Sequence, residues 1–270
     1  MKYLTTRSDD GTQLRLARWN EAGEKDLLLI HGFSEHIGRY HHIASFFAEQ
    51  GWRVTALEFR GHGHSEGRKG HVHLWMHYCE DLQAAMGTIG RPLAIVAHSM
   101  GGLITLWSMM FPLTPMLRCV ALSNPLLGLV EQPSKRLMLI GQIAARIRPT
   151  LMISRESKPE YLSRDPKVVQ AFKDDPLICS DVSARWASQM LEAIRRVHAY
   201  GSQYRYPLRL MLGGQDKVCD PMLAQRFAAS YGGSIDLMMY QQCYHELFNE
   251  PEKYEILAAT EEWLDHHFHS

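Results

Sequence analysis

Residues Leu93-Ala-Ile-Val-Ala97 form an unbroken apolar run that stops at His98-Ser99-Met100-Gly101-Gly102. A run this short, closed by small residues, reads as a buried strand, and helical periodicity over Leu103 to Phe111 sets a helix directly behind it. Strand, sharp turn and helix in immediate succession restrict the chain to α/β architectures. The same alternation recurs along the sequence. Strands are expected at Leu27 to Ile30, Val54 to Leu57, Leu93 to Ala97, Cys119 to Ser123, Leu208 to Leu212 and Ile235 to Tyr240. Helices fit His41 to Gln50, Trp75 to Ile89, Leu103 to Phe111, Met222 to Tyr231 and Glu252 to His267. A βαβα order predicts a mostly parallel sheet with helices on both faces.

The alternation fails between Pro125 and about Ser202, a stretch with helical patterns and no convincing strand, too long for an ordinary connection. We read 125–202 as an inserted helical cap, with 1–124 and 203–270 as the two parts of one α/β core. Within the cap, Lys135 to Arg148 places Leu137, Leu139, Ile140, Ile143, Ala144 and Ile147 on one arc, with Lys135, Gln142 and Arg146 opposite. Such a basic amphipathic helix either packs on its own domain or dips into a lipid surface. The sequence leaves both open.

Composition removes several classes of function. Lys+Arg and Asp+Glu both total 29, so the basic footprint of a nucleic-acid binder is missing. The N-terminal residues turn polar too early for a signal peptide, and no apolar run reaches membrane-spanning length, so a cytoplasmic protein is expected. The five scattered cysteines are read as free thiols. Fifteen histidines include His62 with His64 and His71 with His73 and His77, but these lack the register and company of zinc motifs. No metal or organic cofactor is expected.

A strand, a tight turn bearing serine and then a helix is the pattern of a nucleophile elbow, where a strained backbone presents the serine Oγ above the strand ends. Small residues are needed two before and two after the serine; Gly101 meets this, and Ala97 is the next smallest choice after glycine. The hydroxyl needs a base oriented by a carboxylate, in the chain order Ser, Asp or Glu, His. Asp216 lies in the loop after the strand Leu208 to Leu212. Asp220 is its rival, but Pro221 beside it marks a helix start with Asp220 as N-cap. His245 lies in the loop before the last helix. Two backbone donors, each worth about 3 to 4 kcal/mol, should hold the oxyanion. The candidates are Met100 N–H, after the serine, and Phe33 N–H, in the loop after Leu27 to Ile30. His31 and Gly32 shape that loop. Cys219, three residues beyond Asp216, puts a thiol near the site.

With HGFSEHIGRY at 31–40, FRGHGHSEGRKGHV at 59–72, AHSMGG at 97–102, SNPLLG at 123–128, LSRDP at 162–166, DDPLI at 174–178, GGQDKVCDP at 213–221 and YHELFNEP at 244–251, the chain resembles the α/β-hydrolase serine hydrolases, and among them the monoacylglycerol lipase and lysophospholipase group. The resemblance implies an α/β-hydrolase fold and an esterase acting on a single-acyl lipid, a monoacylglycerol first, with a lysophospholipid or a soluble short-chain ester as the alternatives. It further implies an acyl-chain tunnel and peripheral membrane contact in the cap, with Leu126 and Leu127 on the substrate path. Glu35 and Arg39 match polar positions at the glycerol end of such sites; the alternative role is a local surface salt bridge or support of their loop. Two departures stand out, Ala97 for glycine and Glu58 where aspartate is usual. A rival class is a hydrolase-fold binding protein, although no member of the catalytic set is lost. Dehalogenase chemistry would need aspartate at position 99.

Overall fold

The computed structural model describes residues 1–111, 116–154 and 156–269. Ten strands and eight α-helices follow in the order β1 (Lys2–Arg7), β2 (Gln13–Trp19), β3 (Lys25–Ile30), α1 (His41–Glu49), β4 (Trp52–Leu57), α2 (Met76–Ile89), β5 (Leu93–His98), α3 (Met100–Ser108), β6 (Leu117–Ser123), α4 (Lys135–Ile147), β7 (Met152–Ile153), α5 (Pro166–Asp174), β8 (Val182–Ser183), α6 (Ala184–Tyr200), β9 (Leu208–Gly213), α7 (Pro221–Ser230), β10 (Ile235–Tyr240) and α8 (Lys253–Phe268). Eight strands make one sheet in the order β1-β2-β4-β3-β5-β6-β9-β10, parallel from β4 to β10.

The six expected strands are all in the parallel part. The first two were not foreseen: β1 and β2 pair antiparallel with each other, and β2 runs antiparallel to β4. β1 is an edge strand with a largely exposed, polar face, so it carries little of the apolar signal that marks a buried strand. α3 begins three residues earlier than periodicity suggests, because its glycine-rich first turn has no apolar stripe. The stretch 125–202 does contain β structure, the two-residue pair β7 and β8.

Strand residues alternate between two apolar layers. Leu28 and Ile30 of β3 face the core under α2, α3, α6 and α7, while Leu27 and Leu29 face the core under α1 and α8. Two-sided burial explains why the parallel strands read as continuous apolar runs rather than alternating ones. It also leaves the carboxyl ends of β3, β5, β9 and β10 opening on one edge, where loops can converge.

Candidate active site

Ser99 joins β5 to α3 with φ +50° and ψ −117°, a left-handed conformation that costs a side-chain-bearing residue on the order of 1–3 kcal/mol. The surroundings hold it there. Ser99 N–H donates to Ser123 C=O at 3.0 Å, and Ser99 C=O accepts from Leu103 N–H and Leu126 N–H. Room for the turn comes from glycine. A Cβ on Gly101 would stand 2.5 Å from the His31 carbonyl oxygen, and one on Gly102 would stand 2.7 Å from Pro125 Cβ. Ala97 is buried between its register neighbours Ile30 and Leu122.

The expected partners converge on this serine. His245 Nε2 lies 3.0 Å from Ser99 Oγ, and His245 Nδ1 lies 2.7 Å from Asp216 Oδ2. Asp216 Oδ1 accepts from Val218 N–H at 2.7 Å and Cys219 N–H at 3.0 Å, which fixes the carboxylate. With Nδ1–H donating to Asp216, Nε2 is left to accept the serine proton. All three side chains are buried. Burial alone would lower the His245 pKa, but the charge of Asp216 and its hydrogen bond outweigh it and raise the value. Asp220 is occupied elsewhere, accepting from Met222 N–H as the N-cap of α7.

Met100 is the first residue of α3, so its N–H is among the amides that the helix leaves unpaired and its dipole makes attractive to negative charge. Phe33 N–H has no acceptor among the described residues. The Phe33 ring packs on Trp186 of α6, with ring centres 4.6 Å apart. Cys219 Sγ lies 4.0 Å from Ser99 Oγ. Leu126 and Leu127 are packed into the core beside Ser99.

Glu35 and Arg39 form no surface salt bridge; both belong to a cluster largely out of solvent. Arg39 donates to Glu246 through both terminal guanidinium nitrogens at 2.9 Å and to Glu35 through Nη1 at 2.9 Å. Glu35 Oε2 also accepts from Tyr40 OH and Gly32 N–H, both at 2.8 Å. Burial pushes the Glu35 carboxyl up, but Arg39 and the neighbouring donors bring it down to about 2. Burial dominates at Glu246 and raises it, against the pull of Arg39. Glu246 was missed in the sequence, although it stands next to the histidine; nothing in its local pattern distinguishes it from a surface residue.

The segment after α4 reaches two of the loops that carry the site. Glu246 N–H donates to Leu162 C=O at 2.7 Å, His245 N–H to Tyr161 C=O at 3.4 Å, and Ser163 Oγ to Asn249 C=O at 2.8 Å. Arg164 pairs with the buried Glu250 at 2.8 Å. On the other side, Ser34 Oγ donates to Cys179 C=O at 2.7 Å and accepts from Cys179 N–H at 3.0 Å. His36 Nδ1 accepts from Gly38 N–H, so Nε2 carries the proton that meets Asp175 at 2.7 Å. Ser34 itself sits at φ +62°.

Among the described residues, two groups could hold a metal ion by distance, Asp216 with Cys219 and His245, and Cys243 with Glu250 and Glu252. In the first, Asp216 and His245 already satisfy each other; in the second, the Arg164 guanidinium binds both carboxylates. The histidine clusters of the sequence are used singly. His62 Nδ1 faces the Arg60 carbonyl, and His71 faces Ser183 Oγ.

Residues 23–252 match the Hydrolase_4 family model, described as serine aminopeptidase, S33. The chain is an α/β-hydrolase of this family. Among relatives of this hydrolase, monoacylglycerol lipase of Mycolicibacterium smegmatis is 29% identical over 250 residues, covering 89% of this chain and 88% of that one. Phospholipase YtpA of Bacillus subtilis is 28% identical over 244 residues, with 88% and 94% covered. The crystal structure of Paleococcus ferrophilus monoacylglycerol lipase superposes with a TM-score of 0.84 at 26% identity, covering 94% of this hydrolase and 99% of that chain. No helix among the described residues is long and apolar enough to cross a membrane.

Proposed function

We propose that this α/β-hydrolase is a serine carboxylic ester hydrolase that cleaves a single-acyl lipid, with monoacylglycerol as substrate and glycerol and a free fatty acid as products. The observation that carries the reading is the chain Asp216, His245, Ser99, linked at 2.7 and 3.0 Å beside the Phe33 and Met100 amides. Ser99 Oγ attacks the acyl carbon while His245 Nε2 takes its proton, and the carbonyl electron pair moves onto oxygen, facing the two amides. Collapse of this intermediate expels the alcohol, which receives the proton from His245. Water then adds to the acyl-enzyme by the same route and frees Ser99. Asp216 holds the imidazole tautomer throughout.

The lipid part of the reading draws on the names of the relatives and on the segment 125–202, which we read as the cap. Leu137, Leu139, Ile140, Ile143 and Ile147 of α4 are exposed, and Ile140, Ile143, Ala144, Ile147, Arg148 and Leu151 line a shallow groove of about 330 Å³. With Lys135, Arg136, Arg146 and Arg148 also exposed, α4 suits peripheral contact with an anionic lipid surface. Leu126 and Leu127 are assigned to the acyl side, Glu35 and Arg39 to the alcohol side. The phospholipase relative supports lysophospholipid as the second substrate to try.

The test compares hydrolysis of 1-oleoylglycerol, lysophosphatidylcholine, p-nitrophenyl butyrate and an aminoacyl p-nitroanilide by wild type and Ser99→Ala. Turnover of 1-oleoylglycerol that Ser99→Ala abolishes is expected. Turnover of the short ester alone removes the lipase assignment, turnover of the anilide alone removes the esterase, and a fluorophosphonate that leaves wild type unlabelled removes the enzyme.

A further inference from the structure

Phe59 N–H points at His31 Nε2 from 3.1 Å. A backbone amide only donates, so Nε2 is the unprotonated nitrogen and the ring proton is on Nδ1. His31 Nδ1 in turn lies 2.7 Å from the Gly32 carbonyl oxygen, which only accepts. The tautomer of this buried ring is therefore set by backbone groups at both ends. Phe59 packs edge-on at 5.5 Å and His62 at 5.1 Å between ring centres. Burial lowers the His31 pKa, so a second proton, which would turn Nε2 against the Phe59 amide, is disfavoured.

Gly32 C=O and Phe33 N–H belong to one peptide unit. That unit is planar and trans, so the two groups point in opposite directions, and holding the carbonyl fixes where the amide aims. Gly32 N–H is separately tied to Glu35 at 2.8 Å. A Cβ on Gly32 would stand 3.1 Å from Ser99 Cβ, so this backbone passes directly beside the serine.

We propose that His31 is a positioning residue for the oxyanion site: through Nδ1–H it grips the Gly32 carbonyl and so aims the Phe33 amide at the oxygen of the acyl group on Ser99. The inference rests on the ester hydrolase reading. It separates His31 from a packing histidine, because what it controls is the direction of a donor used only when charge develops on the substrate.

Two measurements decide it. In wild-type protein near pH 7, 15N NMR of the histidine rings should show His31 with a protonated Nδ1 and a bare Nε2; a proton on Nε2 overturns the proposal, and this reading needs no variant to fold. In kinetics, His31→Leu should lose about 100-fold in kcat on the ester with KM unchanged, by analogy with loss of an oxyanion donor. The inhibition constant of an acyl trifluoromethyl ketone, whose hemiketal oxyanion occupies the same site, should weaken by the same factor. His31→Asn, which keeps an N–H near the Nδ1 position, should recover about tenfold. A His31→Leu enzyme with wild-type kcat, or one with unchanged inhibitor affinity, overturns the proposal. Residual turnover by Ser99→Ala would instead overturn the esterase reading, so the two failures are distinct.

Discussion

The stretch between β6 and β9 contains two limbs that differ in what they touch. The helix α4 packs through Met138, Gly141, Ala144 and Ala145 and turns most of its large apolar side chains outward, with Ile147 75% exposed. The limb from Pro159 to Ser183 does the reverse. It binds the loop of His245 on one side and the loop of Phe33 on the other. α4 offers its outer face to solvent, whereas the second limb is hydrogen-bonded to the loops that carry His245 and Phe33 and so helps set the distance between His245 and Ser99. Residues 125–202, read as one cap in the sequence, thus fall into two limbs with different contacts.

The sharpest way to break this contrast is Glu250→Ala. Glu250 has no solvent exposure, pairs with Arg164 and accepts from Tyr244 N–H at 2.8 Å. Removing it leaves Tyr244 N–H without its acceptor and Arg164 with Glu252 as its remaining partner, and should lower stability by about 2 to 3 kcal/mol in urea denaturation. Activity should fall with it, since the His245 loop loses its anchor.

Acid gives an intermediate effect. Burial pushes His62 down to about 3 and His98 to about 4, from an ordinary 6.5. Below that ordinary value the unfolded chain binds protons that the folded one refuses, so stability falls as pH drops from 6.5 toward 4. Each of the two histidines then costs up to about 1.4 kcal/mol for every tenfold rise in proton concentration. His245, raised by Asp216, works in the other direction and loses its contribution as pH rises through its folded value. Urea midpoints at stepped pH should therefore decline on the acid side, and His62→Gln should flatten the decline. α4 has no histidine or carboxylate, so its own amide-exchange protection should not change over that range until the whole chain unfolds.

The smallest effect on the fold belongs to α4. Ile143→Ser with Ile147→Ser should change stability by less than about 0.5 kcal/mol and leave hydrolysis of p-nitrophenyl butyrate intact. Binding to vesicles of anionic lipid should fall sharply. Unchanged vesicle binding would return this helix to a role in packing alone.

How much of this was legible in the sequence depended on the range of the interaction. The parallel strands, the elbow at Ser99 and the order of Asp216 and His245 follow from apolar runs and loop positions, which are local. β2 also carries a local signal, since Leu14, Leu16 and Trp19 are buried, but polar residues between them hide it. The cluster of Glu35, Arg39, Tyr40 and Glu246 could not be read, because 207 residues separate Arg39 from Glu246 and only the folded chain makes them neighbours. The same holds for the bond between Ser34 and Cys179, 145 residues apart.

Several of those long ties share one property. Ser34 meets the main chain of Cys179, and the His245 loop meets the carbonyls of Tyr161 and Leu162. Main-chain groups are the same in nearly every residue, so positions 161, 162 and 179 can mutate without weakening these joints. Side chains can therefore change along this limb while the joints that brace the surroundings of Ser99 persist.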